Sequence, residues 1–164
     1  MDKITAQKLT AKAFSDFGEV IEKPGSKSFL INNGHCRRHH ALALADVTGE
    51  GAKVGISIFA GQPYDLPFTL NLMERHPLGS QAFYPLGHHP WLVMVAKDKN
   101  GIPDTPIAFL AQADQGINLG RGVWHGVLTP LVEASDFLVV DRIGDGNNLE
   151  EHHLGSPFQV LAKI

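Results

Sequence analysis

Glu74 and His76 carry the strongest chemical signal, because both continue an alternating strand pattern in the segment LPFTLNLMERHPLGSQAFYP, residues 66–85. Residues of one parity share one face of a strand, so both side chains are predicted to face the interior. A buried carboxylate without partners is costly, so Glu74 is expected to be paired, protonated or bound to a metal. The alternative is that both lie beyond the strand end in solvent, or pair with each other structurally. The apolar residues that set the parity are Leu66, Phe68, Leu70 and Leu72.

His125 is a second candidate, in the segment GINLGRGVWHGVL, residues 116–128. From Val123 onward the pattern is that of a strand, with His125 and Val127 on one face. A single histidine beside Trp124 is more often a core residue than a ligand. His125 is therefore a candidate site residue only in combination with Glu74 and His76.

The elements that must position these residues are short strands separated by Gly, Pro and Asn. One helix is expected near the start, at residues 11–17, capped by Thr10 and ended by Gly18. A second short helix is expected after Asn148, with Glu151 in a capping box and Gly155 at its end. The spacing predicts an all-β sandwich or barrel that forms one domain over residues 1–164. The candidate strands are residues 54–59, 66–76, 81–84, 91–97, 107–112, 123–128 and 137–142.

Composition excludes several classes of protein. The net charge is -3 with histidine neutral, which argues against a nucleic-acid partner or an anionic membrane surface. Cys36 is the single cysteine, so no disulfide forms within the chain. Residues 1–14, MDKITAQKLTAKAF, contain no apolar run typical of a signal peptide, and no apolar run in the sequence approaches a membrane span. A cytoplasmic protein is expected.

The two chemical segments together resemble the paired motifs of the cupin barrel. Glu74-x-His76 takes the place of the usual His-x-His, Gln81 that of the Glu, and Gly87 that of the closing Gly. Gly122-Val-Trp-His125 takes the place of the second motif. The resemblance implies an all-β cupin-type barrel, a double-stranded β-helix or jelly roll, with one or two short flanking helices. It also implies a metal set of Glu74, His76, Gln81 and His125.

A closer resemblance is to the ureidoglycolate lyase family. It rests on INNG at 31–34, ERHPLGSQAF at 74–83, NLGRGVWH at 118–125 and DFLVVDR at 136–142. It implies a homodimeric enzyme of allantoin breakdown that eliminates urea from ureidoglycolate to give glyoxylate. It further implies a divalent metal, often nickel, and no organic cofactor.

The implied reaction assigns work to particular residues. A base must take the hydroxyl proton and an acid must protonate the departing nitrogen, roles for which Glu74, His76 and His125 are the candidates. Gln81 is a candidate to hydrogen-bond the ureido group or to ligate a metal. The substrate carboxylate suits an arginine fork, and Arg38 is the first choice, ahead of Arg121 and Arg142.

Two other functions fit the same residues. One is a metal-dependent cupin oxygenase, which would consume dioxygen. The other is a cupin without catalytic activity that binds a small acid or sugar.

Overall fold

The computed structural model describes residues 1–164, and nearly all of its regular structure is β-strand. Its helical elements are α1 (Ala11–Phe14) and a 3-10 turn at Asn32–Gly34. None of them has the length and apolar run needed to cross a bilayer. The strands are β1 (Asp2–Thr5), β2 (Gln7–Lys8), β3 (Gly18–Ile21), β4 (Ser28–Ile31), β5 (Cys36–His39), β6 (Lys53–Gly61), β7 (Phe68–Arg75), β8 (Gln81–Pro85), β9 (Trp91–Ala96), β10 (Asp98–Lys99), β11 (Ile102–Pro103), β12 (Ile107–Ala111), β13 (Gly116–Leu119), β14 (Trp124–His125), β15 (Thr129–Pro130), β16 (Ser135–Ile143) and β17 (Glu150–Leu161).

Two sheets form the barrel. The larger has the order β1-β17-β7-β14-β9-β12-β2, with β15 beside β9, and the smaller has the order β3-β13-β8-β16-β6. Small antiparallel ribbons, β4-β5 and β10-β11, lie outside both. Each predicted strand has a counterpart among these elements, with ends that differ by a few residues. The predicted all-β barrel is confirmed.

The main core lies between the two sheets. Odd-numbered residues of β9, such as Trp91, pack there against Phe83 and Phe137 of the smaller sheet and Phe109 of the larger. Trp91 and Phe137 meet edge to face with ring centroids 5.0 Å apart, a favourable aromatic geometry. The alternation of inward and outward residues on these strands therefore produces one continuous interior.

A second apolar cluster occupies the opposite face of the larger sheet. Leu92 and Met94 of β9 belong to it, together with Val160 of β17. The N-terminal segment covers this side, because β1 pairs with β17 and β2 pairs with β12. The segment thus connects both edges of the larger sheet, and Ile4 packs on the cluster.

The first predicted helix is confirmed in place but is shorter than expected. Thr10 caps it by accepting a hydrogen bond from the backbone N–H of Ala13 at 3.2 Å. Helix α1 ends at Phe14, and the chain turns so that Phe14 and Phe17 both enter the core. Gly18 follows because a Cβ there would lie 1.8 Å from the carbonyl oxygen of Asn118.

The second predicted helix is wrong. Residues 150–161 form the long strand β17, which pairs with β7 on one side and with β1 on the other. The capping pattern of Asn148 and Glu151 is local, whereas strand pairing buries Val160 completely and satisfies backbone groups on both sides of the register shift. The tertiary contacts therefore decide the conformation, and Gly155 lies where the β7-β17 register shifts.

Candidate metal and active site

Glu74, His76 and His125 converge at one end of the barrel. Glu74 lies near the end of β7, His76 directly follows that strand, and His125 ends β14. His125 is the cross-strand partner of Glu74 on one side and of Val95 on the other. One ligand atom from each of the three residues lies within 4.8 Å of the others. The structure thus brings together the three residues that the sequence selected for acid–base chemistry.

The strand that carries Glu74 does not keep the regular alternation assumed from its sequence. Leu70 packs in the second cluster together with Met73, which has the opposite parity. The change of face occurs opposite the register shift between His153 and Phe158. Glu74 therefore faces the barrel interior with Val95 and His125, while the early apolar residues of β7 face the other side.

Backbone carbonyls fix the tautomer of both imidazoles. Nδ1 of His76 lies 2.7 Å from the carbonyl oxygen of Asn148, and Nδ1 of His125 lies 3.0 Å from that of Gly126. A carbonyl only accepts, so Nδ1 carries the proton and Nε2 bears a lone pair. Both Nε2 atoms are buried and have no hydrogen-bond partner. Two buried acceptors without partners cost about 1–3 kcal/mol each, unless a ligand occupies the site.

Burial controls the charge of this group. Burial is the main reason that the pKa of His125 falls to about 4, and the neighbouring His76 makes a smaller contribution in the same direction. His125 is therefore neutral at pH 7, so its approach to Oε1 of Glu74 at 4.0 Å is not an ion pair. Burial also raises the pKa of Glu74, with a smaller increase from Glu151 and an opposing effect of His76. A carboxyl group with a raised pKa is better suited to accept and return a proton.

Gln81 is buried at the start of β8, on the same interior face as Phe83. Its Nε2 donates a hydrogen bond to Oδ2 of Asp141 at 3.1 Å, and its Oε1 is buried without a partner. Asp141 was not selected from the sequence. Its signal was present, since it continues the inward parity of Phe137 and Val139 in DFLVVDR.

None of the arginines selected from the sequence has its guanidinium directly against the three converging residues. Arg142 is buried and donates to the carbonyl oxygens of Thr48, Gly144 and Asp145. The hydrogen bonds of its guanidinium therefore hold two loops together. Arg38 is exposed on β5, with its guanidinium 6.0 Å from the ring centroid of Phe29.

Arg121 lies closer to the site along the chain. It is 42% exposed in the loop between β13 and β14, and its Nε lies 3.3 Å from Asp46. The next residue, Gly122, donates its N–H to the carbonyl oxygen of His76 at 2.9 Å. The loop that carries Arg121 is therefore attached directly to the backbone of the site.

Comparison with known proteins agrees with the residue pattern. The profile described as ureidoglycolate lyase matches residues 1–161. The chain belongs to the ureidoglycolate lyase family. A ureidoglycolate lyase of Chelativorans sp. (strain BNC1) is 55% identical over 98% of this chain and 97% of that protein. One of Mesorhizobium japonicum is 51% identical over 98% of each chain. The predicted family and its lyase class are confirmed.

Solved structures show only a distant likeness to this family member. A dTDP-4-dehydrorhamnose 3,5-epimerase from Elizabethkingia anophelis NUHP1 has a TM-score of 0.44 and 14% identity, covering 81% of this chain and 79% of its own. RmlC from Streptococcus suis has a TM-score of 0.43 and 12% identity, covering 86% and 74%. Nothing about activity follows from a likeness at this level.

Asn148 is a site residue that the sequence did not reveal in this ureidoglycolate lyase family member. Its carbonyl oxygen holds His76, and its side-chain Oδ1 accepts the N–H of Leu78 at 2.8 Å. Asn148 lies far from His76 along the chain, so no local sequence pattern predicts the contact between them. Asn148 therefore fixes the position and tautomer of His76.

The barrel interior beside His125 is too full to hold a substrate. The cavity there, lined by Phe83, Trp91 and Leu119 among others, has a volume of about 20 Å³, which is room for about one water molecule. Glu74 and His76 are half-buried rather than enclosed. A substrate must therefore approach from the side on which these two residues reach the surface.

Proposed function

We propose that this protein eliminates urea from ureidoglycolate, with Glu74, His76 and His125 as the reacting group of side chains. The supporting observation is the convergence of one carboxylate and two imidazoles, each with a buried and unpartnered Nε2, in a member of the ureidoglycolate lyase family. No organic cofactor is needed, because the reaction breaks one C–N bond and moves one proton.

The proton balance of the reaction suits Glu74. The substrate hydroxyl loses its proton as the C–O bond becomes the carbonyl of glyoxylate, and the departing nitrogen gains a proton to become urea. One group can do both in turn, and the raised pKa of Glu74 favours this role. The Nε2 lone pairs of His76 and His125 can accept hydrogen bonds from N–H groups of the substrate, since both Nδ1 atoms are held by carbonyls.

The same three residues fit a divalent metal ion. Two neutral imidazoles and a carboxylate form a donor set that suits nickel, zinc or iron. The unpartnered Nε2 atoms are the structural observation that supports such an ion, and nickel follows from the family resemblance. When bound, a divalent ion would act as a Lewis acid toward substrate oxygen and lower the pKa of the hydroxyl. Gln81 offers its carbonyl oxygen either as a further ligand or as an acceptor for substrate.

Arg121 is the proposed partner of the substrate carboxylate. It replaces Arg38, because the loop that carries Arg121 is hydrogen-bonded to His76 whereas Arg38 is on an exposed ribbon. A guanidinium at this position can exchange its exposed contact with Asp46 for a substrate carboxylate.

A homodimer is proposed through the outer face of the smaller sheet. Ile56 is 74% exposed and Ile58 56% exposed. They pair across the sheet with Val140 and Leu138, so apolar side chains form rows across this face. An outer face that meets solvent is normally polar. One apolar patch on each of two identical chains suits a two-fold contact.

The dimer is tested by the mass of the protein in solution. Ile56→Asp is expected to convert the dimer to a monomer in light scattering after gel filtration. Ile102→Asp is the control, since Ile102 is also exposed but lies on β11. A wild-type monomer at micromolar concentration contradicts the proposal.

The cytoplasmic location expected from the sequence also stays a prediction, to be checked by cell fractionation.

The activity is tested by its products. Purified protein incubated with ureidoglycolate is expected to form glyoxylate and urea in equal amounts, with no ammonia and no uptake of dioxygen. Ammonia in place of urea would indicate an amidohydrolase. Dioxygen uptake would indicate the oxygenase, and binding without turnover would indicate the non-catalytic cupin. Metal analysis beside an assay with a chelator tests the metal in the same preparation.

A further inference from the structure

Asp141, which is half-buried, is hydrogen-bonded to the buried Gln81 and has no role in the proposed reaction. Gln81 of β8 pairs with Asp141 of β16 on one side and with Leu119 of β13 on the other. The preceding partners, Val139 and Phe83, belong to the main core. Gln81 and Asp141 therefore face the barrel interior, one step beyond the apolar core.

The pair lies at the same end of the barrel as the converging residues. His76 follows the last residue of β7, and Gln81 is the first residue of β8, so a short loop connects them. Gly79 within that loop pairs with Val47, and the N–H of Ser80 donates to the carbonyl oxygen of Asp46 at 2.7 Å. Backbone contacts thus fix the loop at its middle.

The hydrogen bond determines which way the Gln81 amide points. A carboxylate accepts hydrogen bonds and donates none, so Asp141 must receive the amide Nε2. Without such a partner, an amide presents its oxygen or its nitrogen to the site with little preference. With it, Oε1 is directed away from Asp141, where it is buried and unpartnered like Nε2 of His76 and Nε2 of His125.

We propose that Asp141 is a positioning residue, which fixes the Gln81 amide so that Oε1 accepts a hydrogen bond from the ureido N–H of the substrate. The proposal rests on the proposed function, since it concerns the substrate of that site. The ureido group carries N–H donors that need acceptors once water is excluded, and Oε1 is a fixed acceptor without any other partner. A site built to accept from an N–H discriminates strongly against analogues that lack it.

Three variants test the proposal. Asp141→Asn keeps the shape but can donate to Oε1 and so releases the amide, while Gln81→Met removes the acceptor. Each is expected to raise KM for ureidoglycolate about tenfold with a smaller effect on kcat, which corresponds to about 1.4 kcal/mol. The double variant is expected to equal Gln81→Met alone, because Asp141 acts only through Gln81. Asp136→Asn is the matched control, since Asp136 is exposed on the same strand.

The outcomes separate this inference from the proposed function. An unchanged KM in Asp141→Asn, or additive effects in the double variant, overturns the positioning role even if glyoxylate and urea are formed. Loss of bound metal in Gln81→Met would instead make Oε1 a ligand and overturn the ureido contact. A crystal structure of the wild-type protein soaked in urea depends on neither turnover nor variants. It should show Oε1 within hydrogen-bond distance of a urea nitrogen, and a urea molecule in the site that makes no such contact contradicts the proposal.

Discussion

The imidazole rings of His76 and His125 lie with their centroids 5.3 Å apart and their planes tilted by 38°. His76 directly follows β7 and His125 is the last residue of β14, and each is held at Nδ1 by a backbone carbonyl. Both rings therefore have Nε2 as the atom that is free to bind a ligand.

His76→Ala and His125→Ala are expected to behave as one change if the two residues hold a metal. Each should then remove the ion and nearly all activity, and the double variant should cost little more. Measurement of kcat and of bound metal in the same preparations checks this. The control is His88→Ala, since His88 is exposed between β8 and β9. Partial losses of about 10²–10⁴-fold with unchanged metal content would favour separate acid and base roles.

Asn148→Ala should weaken the site without abolishing the fold. The N–H of Leu78 loses its acceptor, at a cost of about 1 kcal/mol. The carbonyl that orients His76 then becomes less well fixed, so metal affinity or activity should fall about 10–100-fold. Asn148→Asp retains the acceptor and should stay near wild type. Equal losses in both variants would show that the side-chain acceptor is not what matters.

Arg142→Lys should affect stability rather than substrate binding. Lysine cannot donate to the three carbonyl oxygens that the guanidinium reaches, so we expect about 2 kcal/mol less stability. Urea unfolding followed by Trp fluorescence measures this loss. A large rise in KM with unchanged stability would restore Arg142 as a carboxylate anchor.

Arg121→Lys should raise KM for ureidoglycolate more than it lowers kcat. Lysine keeps the charge but loses the fork that matches a carboxylate. The same substitution at Arg38 should have little effect, since Arg38 is on an exposed ribbon. Steady-state kinetics of both variants decide between them, and a rise confined to Arg38→Lys would return the anchor role to Arg38.

The stabilising contribution of Asp98 should be lost in acid. Hydrogen bonds from the Trp124 indole and the Gly101 N–H hold the pKa of Asp98 below its ordinary value, with Arg75 adding to the effect. Its stabilising contribution is therefore complete above the unfolded pKa of about 3.9 and lost as pH falls through the lower folded value.

Thermal unfolding from pH 7 to pH 3 checks this expectation. The difference in Tm between wild type and Asp98→Asn should shrink at the acid end. Asp114→Asn, at another exposed aspartate, should show no such convergence. A difference that stays constant with pH would mean that the carboxylate charge of Asp98 is not the stabilising feature.

The sequence allowed the barrel and the centre of the site to be predicted, because both follow from strand-scale patterns and from the family motifs. Glu74, His76 and His125 lie within such motifs, and Asp141 follows the same alternation. The sequence around Asn148 indicates a helix cap, but in the structure its partners are His76 and Leu78. Strand pairing brings these residues to Asn148, and no local sequence pattern predicts that.

The arginine roles were not predictable for a related reason. The partners of Arg142 are the backbone carbonyls of Thr48 in a distant loop and of Gly144 and Asp145 just beyond β16, and the sequence does not indicate which carbonyl groups an arginine will reach. The face of Glu74 was predicted correctly from an alternation that β7 does not keep. Only the register shift of β17 explains why the early residues of β7 face one way and Glu74 the other.

The pairing of β1 with β17 also determines when the larger sheet can close during synthesis of the chain. Residues 2–5 form strand pairs only with residues 158–161, so the larger sheet stays open at this point until those residues have emerged from the ribosome. A contact between such distant parts of a chain is slow to form. We expect a nascent chain that stops at β16 to leave the second apolar cluster uncovered, and to depend on chaperones until the final strand arrives.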